Sequence, residues 1–184
     1  MSDQIPDSQD QTDPPDLFER VRNILPRLCR TPRLRLFLLR FRSLDQPFSL
    51  SLLGVKLNRP EIGVLGEHLA AKHLRSSGRR VLYRNYRGPD GGEVDIVCRQ
   101  GKVLAFVEVK TRTSTAFGRP ADAVTTEKQG LIQRGALDWL RLLGNPRITI
   151  RFDIAEVVLI DGEPPRINIM ENAFTLPDRS LAGR

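Results

Sequence analysis

Val103-Leu104-Ala105-Phe106-Val107-Glu108-Val109-Lys110 is an apolar run that ends in an acid and a lysine two residues apart. A short run rich in β-branched and aromatic residues reads as a buried strand. Residues i and i+2 of a strand share a face, so Glu108 and Lys110 stand side by side at its end, where neither helps packing. A carboxylate so placed can hold a divalent cation. The lysine can polarise a water or offset charge on a phosphate.

Upstream, Gly91-Gly92-Glu93-Val94-Asp95-Ile96-Val97 leads into Cys98-Arg99-Gln100-Gly101-Lys102. Gln100-Gly101, between two strand-like runs, predicts a tight hairpin turn. A loop of two or four residues pairs Arg99 with Lys102 and sets Asp95 opposite Phe106. Asp95, Glu108 and Lys110 then converge on one end of one hairpin face. A three-residue loop without a compensating bulge would send Asp95 to the other face. Glu93 shares the face of Asp95, as a further ligand or as a solvated strand start. Asp90, in Pro89-Asp90, is a competing acid, but its glycine-rich turn gives it no defined face.

Composition limits the classes of function. The chain has 184 residues, 40% of them hydrophobic, which suffices for one domain with a core plus additional sequence. A net charge of +7 favours a polyanionic partner, most simply nucleic acid, with an anionic membrane surface as the alternative. Cys29 and Cys98 are far apart and match no zinc or redox spacing, which points to a reducing cytoplasm. No apolar run is long enough for a transmembrane helix, and the acidic start is unlike a secretory signal.

Charge is unevenly distributed. Residues 1–16 carry five aspartates, three prolines and no basic residue, the composition of a disordered acidic tail. Residues 17–44 carry eight arginines among Leu34, Leu36, Phe37, Leu38, Leu39 and Phe41. They read either as a basic amphipathic helix for a nucleic acid or membrane surface, or as a leader whose apolar residues dock on the domain. Pro26 and Pro32 interrupt any long helix there. Residues 45–59 read as a linker, which makes 17–59 a basic extension. The compact domain is expected over 60–172, followed by a C-terminal tail, 173–184.

Within that domain, Pro60 and Glu61 suit the first turn of a helix that Gly78 stops. Ile62, Leu65, Leu69 and His73 form its stripe, and Glu67 lies near the edge of the apolar surface, facing a cleft or solvent. His68 and His73 diverge, so one packed and one solvated histidine are expected rather than a metal pair. Arg80–Arg87 reads as a short strand whose Arg84 and Arg87 could grip phosphates and whose Tyr86 could stack on a base. Thr111 to Pro120 reads as a loop. A second helix runs from a cap at Thr125 or Thr126 to Gly144, with Lys128 and Gln129 in its first turn. Strands follow at Ile148–Phe152, Ile154–Ile160 and Arg166–Met170.

Gly63-x-x-Gly66-Glu67, Arg84-Asn85-Tyr86-Arg87, Gly92-Glu93-Val94-Asp95, Phe106-Val107-Glu108-Val109-Lys110-Thr111-Arg112 and Lys128-Gln129 together resemble the motifs of the YraN-like family. These small bacterial proteins are similar to Holliday-junction resolvases of the restriction-endonuclease-like superfamily. The resemblance covers roughly residues 60–172. It implies a three-layer α/β nuclease core, helix, three-strand meander, helix, strand, around a central mixed sheet. It also implies an acidic, magnesium-dependent site of Glu67, Asp95, Glu108 and Lys110, with Lys128 and Gln129 as accessories. Arg112 falls within the same motif, among the residues expected on nucleic acid. The extension of nearly sixty residues, and Gly130 inside the second helix, depart from the compact family pattern.

The expected function is a metal-dependent nuclease that hydrolyses phosphodiester bonds, a resolvase-like DNA endonuclease using Mg²⁺ or Mn²⁺. Asp95 and Glu108, with the Val109 carbonyl, would bind the metal, Lys110 would position water, and Glu67 would assist. Branched or single-stranded DNA is the expected partner, and a homodimer is compatible with it. The rival expectations are a non-catalytic nucleic-acid-binding protein of the same fold and a membrane-surface adaptor acting through residues 17–44.

Overall fold

The computed structural model describes residues 44–52, 55–114 and 124–176. The acidic tail, nearly all of the arginine-rich segment and most of the expected loop after Thr111 lie outside them. A two-stranded hairpin, β1 (Ser51–Leu52) and β2 (Val55–Lys56), precedes helix α1 (Arg59–Ser76). Strands β3 (Arg80–Arg87), β4 (Glu93–Gln100) and β5 (Val103–Arg112) follow, then helix α2 (Thr126–Leu142), β6 (Thr149–Val158) and β7 (Arg166–Phe174). The five long strands form one mixed sheet in the order β3-β4-β5-β6-β7, antiparallel except for the parallel pair β5–β6 that α2 connects.

Each helix covers one face of the sheet. Alternation along β5 sends Ala105, Val107 and Val109 to a cluster with Leu65, Leu69, Ala70 and Leu74 of α1. It sends Leu104 and Phe106 to a second cluster with Ile132 and Ala136 of α2. The result is the expected three-layer α/β/α core, consistent with a restriction-endonuclease-like fold.

Local chemistry explains the helix limits. Asn58 caps α1: its side chain accepts from the Glu61 N–H at 3.0 Å, and the Glu61 carboxylate accepts from the Asn58 N–H at 2.9 Å. Thr125 caps α2 through the Lys128 N–H at 3.3 Å. The apolar stripe of α1 is wider than the sequence suggests. It takes in Ala70, Ala71 and Leu74, while His68 and His73 are both half-buried rather than one packed and one solvated.

Three expectations on extent are corrected. Phe48 and Leu57, in the segment read as a linker, are core residues, and the Phe48 carbonyl accepts from Gly162 N–H at 2.9 Å. The tail boundary also moves, because β7 continues to Phe174, whose ring stacks on Phe152 at 5.0 Å. Finally, β6 is one strand rather than two. Asp153 looks like a break in the sequence but is fully buried, bonded by Arg151 Nε at 2.8 Å and by the Asn172 N–H at 3.0 Å.

Both helices approach the sheet through glycine. A Cβ on Gly66 would lie 1.8 Å from Thr111 Oγ1 and 2.9 Å from Thr111 Cβ, so rotating the threonine does not make room. A Cβ on Gly92 would lie 2.1 Å from the backbone nitrogen of Gly135. Gly130, by contrast, meets nothing closer than 3.7 Å, the flexible end of Arg134. Gly66→Ala is therefore expected to destabilise the domain by about 1–3 kcal/mol through overpacking. Gly130→Ala should stabilise it by up to about 1 kcal/mol through helix propensity. Urea titrations of the two variants, read by far-UV circular dichroism, check the opposite signs.

Candidate active site at the end of β4 and β5

The β4–β5 turn is Gly101-Lys102, not Gln100-Gly101. Gln100 pairs with Val103, and Gly101 takes φ 58° at the first central position of a two-residue turn. The register is thus displaced from the expected one by two residues on β5. An even displacement preserves the face, and Asp95 moves from opposite Phe106 to opposite Glu108.

The ladder between β4 and β5 stops at Ile96–Val107, and the next acid fills the gap where the strands part. Asp95 Oδ2 accepts the Val109 N–H at 2.8 Å, a donor that the ladder no longer pairs with β4. The backbone of β3 leaves extended geometry at the same level. Asn85, between the pairs Arg84–Ile96 and Tyr86–Val94, has φ 54°. Val94 and Val97 both pack in the α2-side cluster although three residues apart, so β4 is irregular around Asp95. Asp95 therefore enters the space between the strands instead of simply standing on one face.

Glu108 is 2% exposed. Its Oε1 receives Lys110 Nζ at 2.8 Å. Its Oε2 has no hydrogen-bond partner, and Lys128 Nζ of α2 lies 3.4 Å from it. Lys128 instead donates to Glu93, which also receives Arg87 at 2.9 Å. Arg87, Glu93, Lys128, Glu108 and Lys110 thus form a chain of alternating charge across β3, β4, α2 and β5.

These contacts shift proton affinities. Burial, then the negative charge of Glu108, pushes the Asp95 carboxyl up to about 7, with a smaller contribution from Glu67. The Val109 N–H and Lys128 oppose the rise. The hydrogen bond from Lys128 holds Glu93 below the usual carboxylate range, against its partial burial. Burial alone would lower Lys128, but the bond to Glu93 and the charges of Glu108 and Asp95 outweigh it and raise its pKa.

Glu67 stands on the α1 side. It lines a cavity of about 610 Å³ with Arg59, Gly63, Val109, Thr111 and Arg112, and its Oε2 is buried with no hydrogen-bond partner. Its charge reaches Asp95, but the cavity lining does not include the side chains of Asp95, Glu108 or Lys110. Gln129 turns away, donating to the Val124 carbonyl at 3.2 Å. Tyr86, expected to offer a stacking face, is buried edge-on against Trp139 at 5.1 Å. The aromatic ring that β3 exposes is Tyr83, which the sequence reading passed over. Arg84 is half-buried. Arg112 pairs with Glu156 at 3.1 Å, and Arg87 is exposed. Asp90 pairs with Arg141 at 3.1 Å on the surface, remote in role from the buried acids. Arg59, the first residue of α1, also lines the cavity, and a single arginine at a helix start carries no sequence signal.

Residues 66–157 match the uncharacterised protein family UPF0102. The chain belongs to this family. The match bears out the expected YraN-like resemblance and spans Gly66 through most of β6, including every acid and lysine of the cluster. A UPF0102 protein of Geobacter sulfurreducens is 46% identical over 115 residues, covering 62% of this chain and 89% of the relative. One from Trichlorobacter lovleyi is 50% identical over 117 residues, with 62% and 91% covered. One from Rhodococcus jostii is 41% identical over 113 residues, with 61% and 95% covered.

The cluster fits a magnesium-like ion. Among the described residues no group of three or more His, Cys, Asp or Glu side chains is placed to hold a metal. Mg²⁺ does not need one, since it commonly takes one or two carboxylates and completes its shell with water and phosphate. Asp95 and Glu108 would supply two, and Glu108 Oε2, buried with no hydrogen-bond partner, is the acceptor such an ion would use.

In metal-free protein the raised Asp95 pKa has a definite sign. The folded chain holds a proton that the unfolded chain has released between pH 3.8 and about 7. This contribution to stability is fully present below that window and is lost as pH rises through it. With chelator present, Asp95→Asn should raise the urea midpoint relative to wild type at pH 8, and the advantage should shrink at pH 5. A larger advantage at pH 5 would reverse the sign.

Proposed function

We propose that this protein is a metal-dependent nuclease that hydrolyses phosphodiester bonds in DNA, branched or single-stranded, in the manner of a resolvase. The observation that carries this reading is the Asp95–Glu108 pair. A buried acid, Glu108, and a half-buried one, Asp95, meet where the sheet opens, at a cost that packing does not repay, with a lysine fixed beside them.

Asp95 and Glu108, with the Val109 carbonyl, would hold Mg²⁺ or Mn²⁺. When bound, the ion lowers the pKa of a ligand water and offsets charge on the phosphate. Lys110, anchored on Glu108 Oε1, orients the attacking water and stabilises charge as it develops. Glu67 faces the same strand end from the α1 side, where its free oxygen can accept a hydrogen bond from a water approaching the phosphate. Arg59, exposed Arg87 and Arg112 are suited to the phosphate backbone on either side, and Tyr83 to stacking.

One observation favours a second reading, a nucleic-acid-binding protein of this fold without turnover. Lys110 and Lys128 already compensate Glu108, so the fold tolerates the acid without a metal.

Cleavage assays of the full chain on linear and branched DNA with Mg²⁺ or Mn²⁺ distinguish the two. Asp95→Asn and Glu108→Gln should abolish cutting while preserving or tightening DNA binding, because each removes repulsion toward phosphate. Lys110→Ala should slow cutting by about 10²-fold or more, and Asp90→Asn should leave it unchanged. Wild-type protein that binds DNA without metal-dependent cutting on any substrate would establish the second reading. Binding in either case should weaken steeply between roughly 50 and 200 mM salt as counterions are released.

A further inference from the structure

Glu93 is the member of the charge chain whose role the nuclease reading leaves open. It lies at the start of β4, less buried than Glu108, and takes both Arg87 and Lys128. Two backbone features determine where Lys128 begins. Thr125 caps the first turn of α2 on the Lys128 N–H, and the Gly92–Gly135 approach brings that helix against the start of β4. From there the ammonium has two carboxylates within reach. It makes its hydrogen bond to Glu93 and stays 3.4 Å from Glu108 Oε2, beyond good hydrogen-bonding distance. The consequence is an open acceptor on Glu108.

We infer that Glu93 is a positioning residue: it holds the Lys128 ammonium off Glu108 and so sets how readily the Asp95–Glu108 pair takes up a divalent cation. The inference rests on the metal-dependent reading of the site. Lys128 and the cation compete for one oxygen, Glu108 Oε2. A carboxylate at position 93 keeps the ammonium through a charge-assisted bond, and a carboxamide of the same size retains it more weakly. Without Glu93 the nearest unsatisfied acceptor for Lys128 is that oxygen, and a cation must displace it. Glu93 thereby acts through Lys128 rather than as a ligand.

The test is Mn²⁺ titration of the full-length chain, with free Mn²⁺ read by electron paramagnetic resonance and no substrate present. Glu93→Gln should weaken Mn²⁺ binding about tenfold, the scale seen when a partner behind the metal ligands is removed. Lys128→Met should tighten it. In the Lys128→Met background, Glu93→Gln should change affinity little, because no ammonium remains to be held. Glu93→Asp should recover part of the loss. A full loss from Glu93→Gln in the Lys128→Met background would make Glu93 a ligand and overturn the inference, as would unchanged affinity in the single variant. Weaker Mn²⁺ binding by Lys128→Met would overturn it even if Glu93→Gln failed to fold. Wild-type protein that binds no Mn²⁺ would remove the metal-dependent reading itself, and this inference with it.

Discussion

The burial of the Glu108 carboxylate at the end of β5 is the constraint around which the rest is arranged. A charged group so enclosed costs several kcal/mol unless partners compensate it. The partners come from two elements, Lys110 from its own strand and Lys128 from α2, while the Glu108 charge helps to push the Asp95 carboxyl of β4 upward. Delivering Lys128 requires α2 to lie against the start of β4, which Gly92 and Gly135 permit. Bringing α1, which carries Glu67, equally close to β5 requires Gly66 against Thr111. The glycine contacts are thus the mechanical counterpart of the charge cluster.

Two buried acids of the sheet are treated differently. Asp153, opposite Val107 in the β5–β6 register, has both oxygens bonded, by Arg151 and by the Asn172 N–H. Glu171 receives Arg79 and Arg151, and Gln100 accepts from Arg151 as well. That network ties β4, β6 and β7 together and bonds every oxygen of Asp153. At the Asp95 end the ladder opens, and carboxylate oxygens of Glu67 and Glu108 lack hydrogen-bond donors. Satisfied polar groups stabilise, whereas unsatisfied acceptors beside a break in a sheet are what a ligand or cation can complete.

Much of this was legible in the sequence because it depends on short-range periodicity. Alternation along Val103–Lys110 put Glu108 beside Lys110, and helical spacing put Leu65 and Leu69 inside. The hairpin turn was misplaced by one residue, yet Asp95 still met Glu108 because the resulting slip was even. The structure departs from the sequence pattern where a residue finds its partner through the fold. Asp153 suggested a break in β6, but Arg151 and Asn172 keep it in the strand. Tyr86 suggested a stacking face, but Trp139, more than fifty residues later, covers its ring.

The sequence by itself determined the order of elements, the family and the pairing of acid with lysine, since these follow from residue identity and spacing within one or two strands. Only the tertiary structure decided that Glu67 and Lys128 approach the strand end from opposite faces of the sheet. It also decided that Asp95 sits in the gap between the strands, and that Lys128 answers to Glu93 before Glu108. Those outcomes depend on which backbones can touch and where a ladder stops. They are settled by close packing between residues distant in the chain, for which no local period carries a signal.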